Sequence, residues 1–333
     1  MTQVALNSTN MKKLIAAMLK EGVVRAPVET EDGAIFAAIT EKSAIAFDYA
    51  NVKLPLKREF FPQRETVSRF GVDGMVEEKT GAKKTVLFAV RPCDVQSILY
   101  LDKVFIDDKY QDPYYQSRRD KTFIIALACS SPASTCFCES LGQGPARKSG
   151  SDVMAYKLSD SFVFEAVSEK GEAFIKKNKS IFRAVMPKEL QAVAKQEADA
   201  IKKMPRFEVN IGALRQKNDP ALWNSVAETC LSCGACTFLC PTCHCFDLFD
   251  EKHGDEGRRI RVHDACMFEQ FTKEASGHNP RAQKGDRMRQ RIMHKFSYAP
   301  ENFRLMFCVG CGRCIVNCPS NIDVRETIAK VTA

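Results

Sequence analysis

Apolar residues recur at Met11, Leu14, Ile15, Met18 and Leu19, the spacing of one helix face, and Gly22 ends the pattern. Residues 34–50 alternate loosely, which predicts a hairpin or paired strands. Thr85–Val90 is a short apolar run, followed by Arg91-Pro92-Cys93-Asp94, a helical pattern to about Phe105, and a second apolar run over Thr122–Leu127. Strand, helix, strand predicts a βαβ unit. Parallel strands joined by a crossover finish at one sheet edge, where open α/β folds bind ligands. A charged helical pattern runs from Pro187 to Met204, and Asp219-Pro220 offers an N-cap with proline at the first helical position. Further on, Phe246, Leu248, Phe249, Met267, Phe268 and Phe271 fall at helical spacings, which predicts a helical C-terminal region.

Length and composition narrow the class. The chain has 333 residues, 45% hydrophobic and 27% charged, which fits a globular protein of about two domains and excludes disorder, collagen and coiled coil. No segment approaches the eighteen or so consecutive apolar residues of a membrane helix, and the N-terminus lacks a signal-peptide pattern, so a cytoplasmic protein is expected. Fifteen cysteines are then unlike a disulfide framework, because the cytosol is reducing. They read as metal ligands or redox groups.

Two cysteine runs carry the strongest signal. Cys230-Leu-Ser-Cys233-Gly-Ala-Cys236-Thr-Phe-Leu-Cys240-Pro241 and Cys308-Val-Gly-Cys311-Gly-Arg-Cys314-Ile-Val-Asn-Cys318-Pro319 both follow C-x2-C-x2-C-x3-C-P, the ligation pattern of [4Fe–4S] clusters. A zinc ribbon would need only two C-x2-C pairs. Gly234 and Gly312 permit the tight turn that wraps three thiolates round one cluster. The fourth cysteine of such a run ligates the other cluster. Cys230, Cys233, Cys236 and Cys318 are therefore assigned to one cluster, and Cys308, Cys311, Cys314 and Cys240 to a second. The predicted fold is an α/β domain over 1–149, a mixed connector over 150–218, and an α-helical ferredoxin-like domain with two [4Fe–4S] clusters over 219–333.

The βαβ geometry adds a third candidate. Cys93 and Cys129 follow the two strands, and Cys136 and Cys138 lie in the next loop, so four thiols can converge at the sheet edge. Such a set holds a [4Fe–4S] cluster or a tetrahedral Zn²⁺. Cys243, Cys245 and Cys266 remain, either as extra ligands or tuning groups or as thiols packed against the clusters. The five histidines show no ligand spacing, though His244 adjoins the first run.

Between residues 258 and 304 eleven Lys or Arg stand against five acids. Nucleic-acid binding would need interleaved aromatic residues or a groove-reading helix, and Lys284–Arg291 has neither. An oxidised cubane with four thiolates is a buried dianion, so charge compensation accounts for the excess, with docking of a partner as a second role. Twelve cysteinates on three clusters would lower the formal charge of +8 to about +2. No G-x-G-x-x-G, P-loop, G-x-S-x-G or H-E-x-x-H motif occurs, so nothing in the chain supplies a hydride or a nucleophile. It reads as an electron conduit.

The chain also resembles a known family. Arg-Pro-Cys93-Asp, Leu-Asp102-Lys-Val-Phe, Asp112-Pro-Tyr-Tyr115 with Arg118-Arg119, Cys129, Cys136-Phe-Cys138, Cys-Pro-Thr-Cys243-His-Cys245, Arg258-Arg259, Cys266, Ala275-Ser-Gly-His278 and Cys308-Val-Gly-Cys311-Gly-Arg313-Cys314 are similar to the 4Fe–4S dicluster subunits typified by the iron–sulfur subunit of anaerobic sulfite reductase and by the sulfhydrogenase beta subunit. The resemblance implies an electron-transfer subunit that links a flavin- and NAD(P)-binding reductase subunit to a sulfite reductase, hydrogenase or heterodisulfide-reductase-like module. The flavin belongs on the partner. The family's N-terminal cysteine set matches Cys93, Cys129, Cys136 and Cys138, which implies a third cluster, and Arg258, Arg259 and Arg313 are the arginines expected at the cofactors. The alternative is that the N-terminal domain itself binds flavin or substrate at a Cys93/Cys129/Cys136/Cys138 metal centre.

Overall fold

The computed structural model describes residues 1–71, 74–77, 81–208 and 210–333. Its strands, in chain order, are β1 (Gln3–Asn7), β2 (Val23–Val28), β3 (Ile35–Ala38), β4 (Arg64–Gly71), β5 (Gly74–Glu77), β6 (Thr85–Val90), β7 (Thr122–Leu127), β8 (Val153–Lys157), β9 (Ser161–Ala166), β10 (Phe246–His253) and β11 (Glu256–His263). Among the described residues they form a seven-stranded sheet of order β1-β9-β8-β7-β6-β2-β3 and a four-stranded sheet of order β10-β11-β4-β5.

The large sheet is mixed. β2, β6, β7 and β8 are mutually parallel, and β1, β3 and β9 attach antiparallel. Its central strands are apolar on both sides because both faces are covered. On one face Val86, Phe88 and Ile125 pack with Leu14, Ile15 and Met18 of the helix Met11–Leu19. On the other, Leu87, Ile124 and Ala126 pack with Val95, Ile98 and Leu101 of the helix Pro92–Phe105. The amphipathic N-terminal helix and the strand–helix–strand unit thus form where the pattern of apolar residues puts them. Residues 34–50 contribute only β3, paired with β2.

Two regions depart from expectation. The stretch read as a connector supplies β8 and β9, which extend the large sheet, before the helices Glu169–Lys177 and Pro187–Lys203. The segment after Cys240, expected to be helical, opens as the β10–β11 hairpin, in register from Phe246↔His263 to His253↔Glu256. Phe246 and Leu248 also fit a period of two, and Gly254, with φ +61°, supplies the turn. Asp250 and Glu251 pair across the ladder with Arg259 and Arg258 at 2.8 and 2.9 Å. A helix does follow, at Lys284–Met293.

The halves of the chain interlock. β11 pairs with β4, so residues 64–71 and 256–263 share the small sheet. Around Trp223 the helices Pro220–Val226, Lys284–Met293 and Val324–Thr332 bury Met288, Ile292, Ile328 and Val331. Asp219 caps the first of these helices by accepting from Ala221 N at 2.9 Å.

Candidate metal centres

β6 and β7 end at the same edge of the large sheet, and Cys93 and Cys129 follow directly. The strand before Cys93 is irregular: Ala89 has φ +61° and interrupts the β6–β7 register, with its carbonyl accepting from Tyr49 Oη at 2.5 Å. The loop after Cys129 brings Cys136 and Cys138 back. All four thiols line one cavity, with an empty volume of about 340 Å³, beside Asn51, Arg91, Met204 and Cys311. Burial pushes Cys136 up to about 11 and Cys138 to about 12, and raises Cys93 and Cys129 as well.

The two C-terminal motifs share a turn. Gly234 and Gly312 have φ +75° and +74°, and each begins a four-residue helix, Ala235–Phe238 and Arg313–Val316. Their fourth cysteines cross over. Cys230, Cys233, Cys236 and Cys318 line a cavity with an empty volume of about 530 Å³, with Arg291 and Cys314 in its wall. Cys240 is tied instead to the other motif: Lys295 Nζ lies 3.2 Å from its sulfur and 3.0 Å from the carbonyl of Phe307, the residue before Cys308, and Thr242 Oγ1 donates to the same carbonyl at 2.7 Å. Burial pushes Cys308 up to about 12 and Cys314 to about 11, and raises Cys311 as well.

The three thiol sets stand in a row. Cys314 of the middle set is in the wall of the Cys230 cavity, and Cys311 is in the wall of the N-terminal cavity. Among the described residues no three His, Cys, Asp or Glu close in far enough to hold one metal ion; the thiols ring open volumes. Their donor chemistry is that of iron–sulfur ligation, in which cysteine thiolates surround a multi-iron core. The buried atoms Arg91 Nε, Arg291 Nε and Arg313 Nη1 have no hydrogen-bond partner among the described residues. Such orphans call for an acceptor. The residues fit [4Fe–4S] clusters at these positions.

Buried cations accompany the thiols. Burial alone would lower Arg291 and Lys295, but the charges of Cys236 and Cys314 hold Arg291 up, and those of Cys240 and Cys243 hold Lys295 up. Lys57 enters from the N-terminal half, and its ammonium donates to Cys243 O at 2.9 Å and Thr237 O at 3.2 Å. Arg291 and Lys295 belong to the basic stretch and lie one helical turn apart, a spacing visible in the sequence. Lys57 and Asn51 lie outside any motif, and only the fold brings them in.

Of the three arginines expected at cofactors, Arg313 is buried between the thiol sets, whereas Arg258 and Arg259 sit on the exposed hairpin, paired with Glu251 and Asp250. Neither lines a thiol cavity. Cys243 donates to Cys240, which lowers Cys240 and raises Cys243; Cys245 donates to Cys266, which brings Cys266 down to about 6 and raises Cys245. Burial holds His244 at about 4, and its ring meets His294 edge-on at 5.4 Å.

Residues 229–322 match the family model of the 4Fe-4S dicluster domain. Over 336 residues, covering 99% of this chain and 98% of the relative, the chain is 34% identical to sulfhydrogenase 2 subunit beta of Pyrococcus furiosus. No solved structure matches it. Among the described residues no helix is long and apolar enough to cross a membrane.

Proposed function

The chain belongs to the 4Fe-4S dicluster electron-transfer subunits, the family of the sulfhydrogenase beta subunit, and from that premise we propose that it is a three-centre electron relay. In this reading Cys230, Cys233, Cys236 and Cys318 hold one terminal cluster, Cys93, Cys129, Cys136 and Cys138 the other, and Cys308, Cys311, Cys314 and Cys240 the middle one. A bound [4Fe–4S] cluster supplies one-electron reduction and oxidation. The protein supplies sequence and insulation: Cys314 and Cys311 are the walls through which the middle set adjoins each end, and buried Arg291, Lys295 and Arg313 compensate charge there.

The observation that carries the reading is the row of thiol sets with a shared cysteine wall at each junction. The outer members would exchange electrons with other subunits. A flavin- and NAD(P)-binding reductase subunit is proposed on one side, with the flavin there, and a sulfite reductase, hydrogenase or heterodisulfide-reductase-like module on the other. The chain would work in the cytoplasm and perform no substrate chemistry alone. Anaerobic iron and sulfide analysis should give about twelve of each per chain. About eight would remove the N-terminal centre. Bound flavin in the isolated chain, or substrate turnover without partners, would overturn the conduit role.

A further inference from the structure

Between the middle and N-terminal thiol sets lies a buried ion pair. Asp94 is the residue after Cys93, in the first turn of the helix Pro92–Phe105, and Arg313 stands between Cys311 and Cys314. Arg313 Nη2 donates to Asp94 Oδ2 at 2.6 Å, with the side chains 2% and 0% exposed. The guanidinium Nε also donates to Val52 O at 2.8 Å. Around the pair the two sets are stitched together: Phe137 N donates to Gly310 O at 2.8 Å, and Asn51 Nδ2 donates to Cys311 O at 2.6 Å.

Burial of two full charges is costly, so a pair held this deep needs a reason beyond stability. Both of its free ends are orphaned: Arg313 Nη1 and Asp94 Oδ1 have no hydrogen-bond partner among the described residues. The pair reaches both sides by position: Asp94 adjoins Cys93, and Arg313, bonded to it, adjoins Cys314 and lies two residues after Cys311. The Cys230 set lacks this pair, since its cavity is lined by Arg291.

We propose that Asp94 and Arg313 are a positioning pair that sets the reduction potentials of the middle and N-terminal centres together: Asp94 holds the guanidinium against both and offsets part of its charge. The inference rests on the three-centre reading. It gives a signed test. In the anaerobic full-length holoprotein, Asp94→Asn keeps the side-chain shape and removes the anion, so both centres become easier to reduce. Arg313→Met removes the cation and leaves the anion, so both become harder to reduce. Arg313→Lys keeps the charge and stays closer to the parent than Arg313→Met does.

Redox titration followed by electron paramagnetic resonance should show at least a tenfold change in the reduced-to-oxidised ratio at fixed poise, about 59 mV for one electron. The Cys230 centre should not move. Shifts of the same sign in Asp94→Asn and Arg313→Met, equal shifts at all three centres, or no shift would overturn the pair's role. If Arg313→Met loses iron, Asp94→Asn against Arg313→Lys carries the test: an unmoved or lowered potential in Asp94→Asn sinks the proposal. Iron content of the parent keeps the two ideas apart. About eight irons per chain sinks the three-centre reading and the joint role with it, whereas about twelve irons with unmoved potentials sinks the pair alone.

Discussion

The ammonium of Lys295 lies 3.2 Å from the sulfur of Cys240, and the same nitrogen donates to Thr242 Oγ1 and to Phe307 O, each at 3.0 Å. Lys295 is buried in the π-helical turn His294–Tyr298 that continues the helix Lys284–Met293. Such a turn commonly marks a functional position. A cation this close stabilises the more negative state of whatever Cys240 ligates. Lys295→Met should therefore make the middle centre harder to reduce while leaving the N-terminal centre in place. The loss of a charge-assisted hydrogen bond adds roughly 1.5–3 kcal/mol of destabilisation. Redox titration and denaturant unfolding of the same variant check both effects, and a raised potential would contradict the electrostatic account.

Crossed ligation makes a paired prediction. Cys240 belongs to the first motif in sequence but is tied through Lys295 to the carbonyl of Phe307, next to Cys308, while Cys318 lines the cavity of Cys230, Cys233 and Cys236. Cys240→Ser should damage the middle centre, and Cys318→Ser the Cys230 centre. The spectrum of each as-purified variant identifies which signal is lost. If each substitution removes the cluster of its own motif, the crossing is wrong.

The two motifs were legible because ligand spacing is local: Gly234 and Gly312 show the positive φ that their positions require. The N-terminal set was legible for a topological reason, since parallel β6 and β7 must end together. The hairpin after Cys240 was not, because Phe246 and Phe249 fit a helical period as well as Phe246 and Leu248 fit a strand. What settles it lies far away in the chain: β11 has β4 to pair with. The same distance hides Lys57 and Asn51, which reach the thiols through tertiary packing alone. Arg258 and Arg259 show the converse, basic residues lying between the two motifs in sequence whose charge is taken up by Glu251 and Asp250 on the neighbouring strand.

That small sheet rests on a buried charge network. Arg261 is 5% exposed and bonds Glu65 at 2.6 Å and also Asp112, while Arg118 bonds Glu65 at 2.7 Å. Its guanidinium lies 5.1 Å from the centroid of Phe61. Arg261→Met leaves the carboxylates of Glu65 and Asp112 undercompensated in a poorly hydrated site. A destabilisation of about 3–5 kcal/mol is expected, as for other buried pairs broken on one side. Glu65→Gln, tested beside it, should also destabilise, and a double substitution should cost less than the sum because the two act on one network. Additive losses in anaerobic unfolding would show that the contacts are independent.

The buried imidazoles give the fold a pH dependence. Burial holds His244, His263 and His294 at about 4, below the ordinary value near 6.5. His263 is the clearest case, its ring tilted by 34° against Phe61 with centroids 4.3 Å apart and its Nε2 facing Phe61 O at 2.9 Å. Between about pH 4 and 6.5 the unfolded chain protonates each ring and the folded chain does not. Unfolding therefore takes up protons in that window: stability is full above pH 6.5 and falls as the pH is lowered towards 4. Each ring contributes a slope of up to about 1.4 kcal/mol per pH unit. Cysteines freed from clusters on unfolding also take up protons, but their unfolded value near 8.5 makes that contribution constant through the window. Comparing His263→Asn with the parent by denaturant midpoints from pH 5 to 7 isolates the ring. The variant should lose about one proton's worth of slope near pH 5 and show the parent's slope at pH 7. An unchanged slope at pH 5 would mean that His263 is charged in the folded protein.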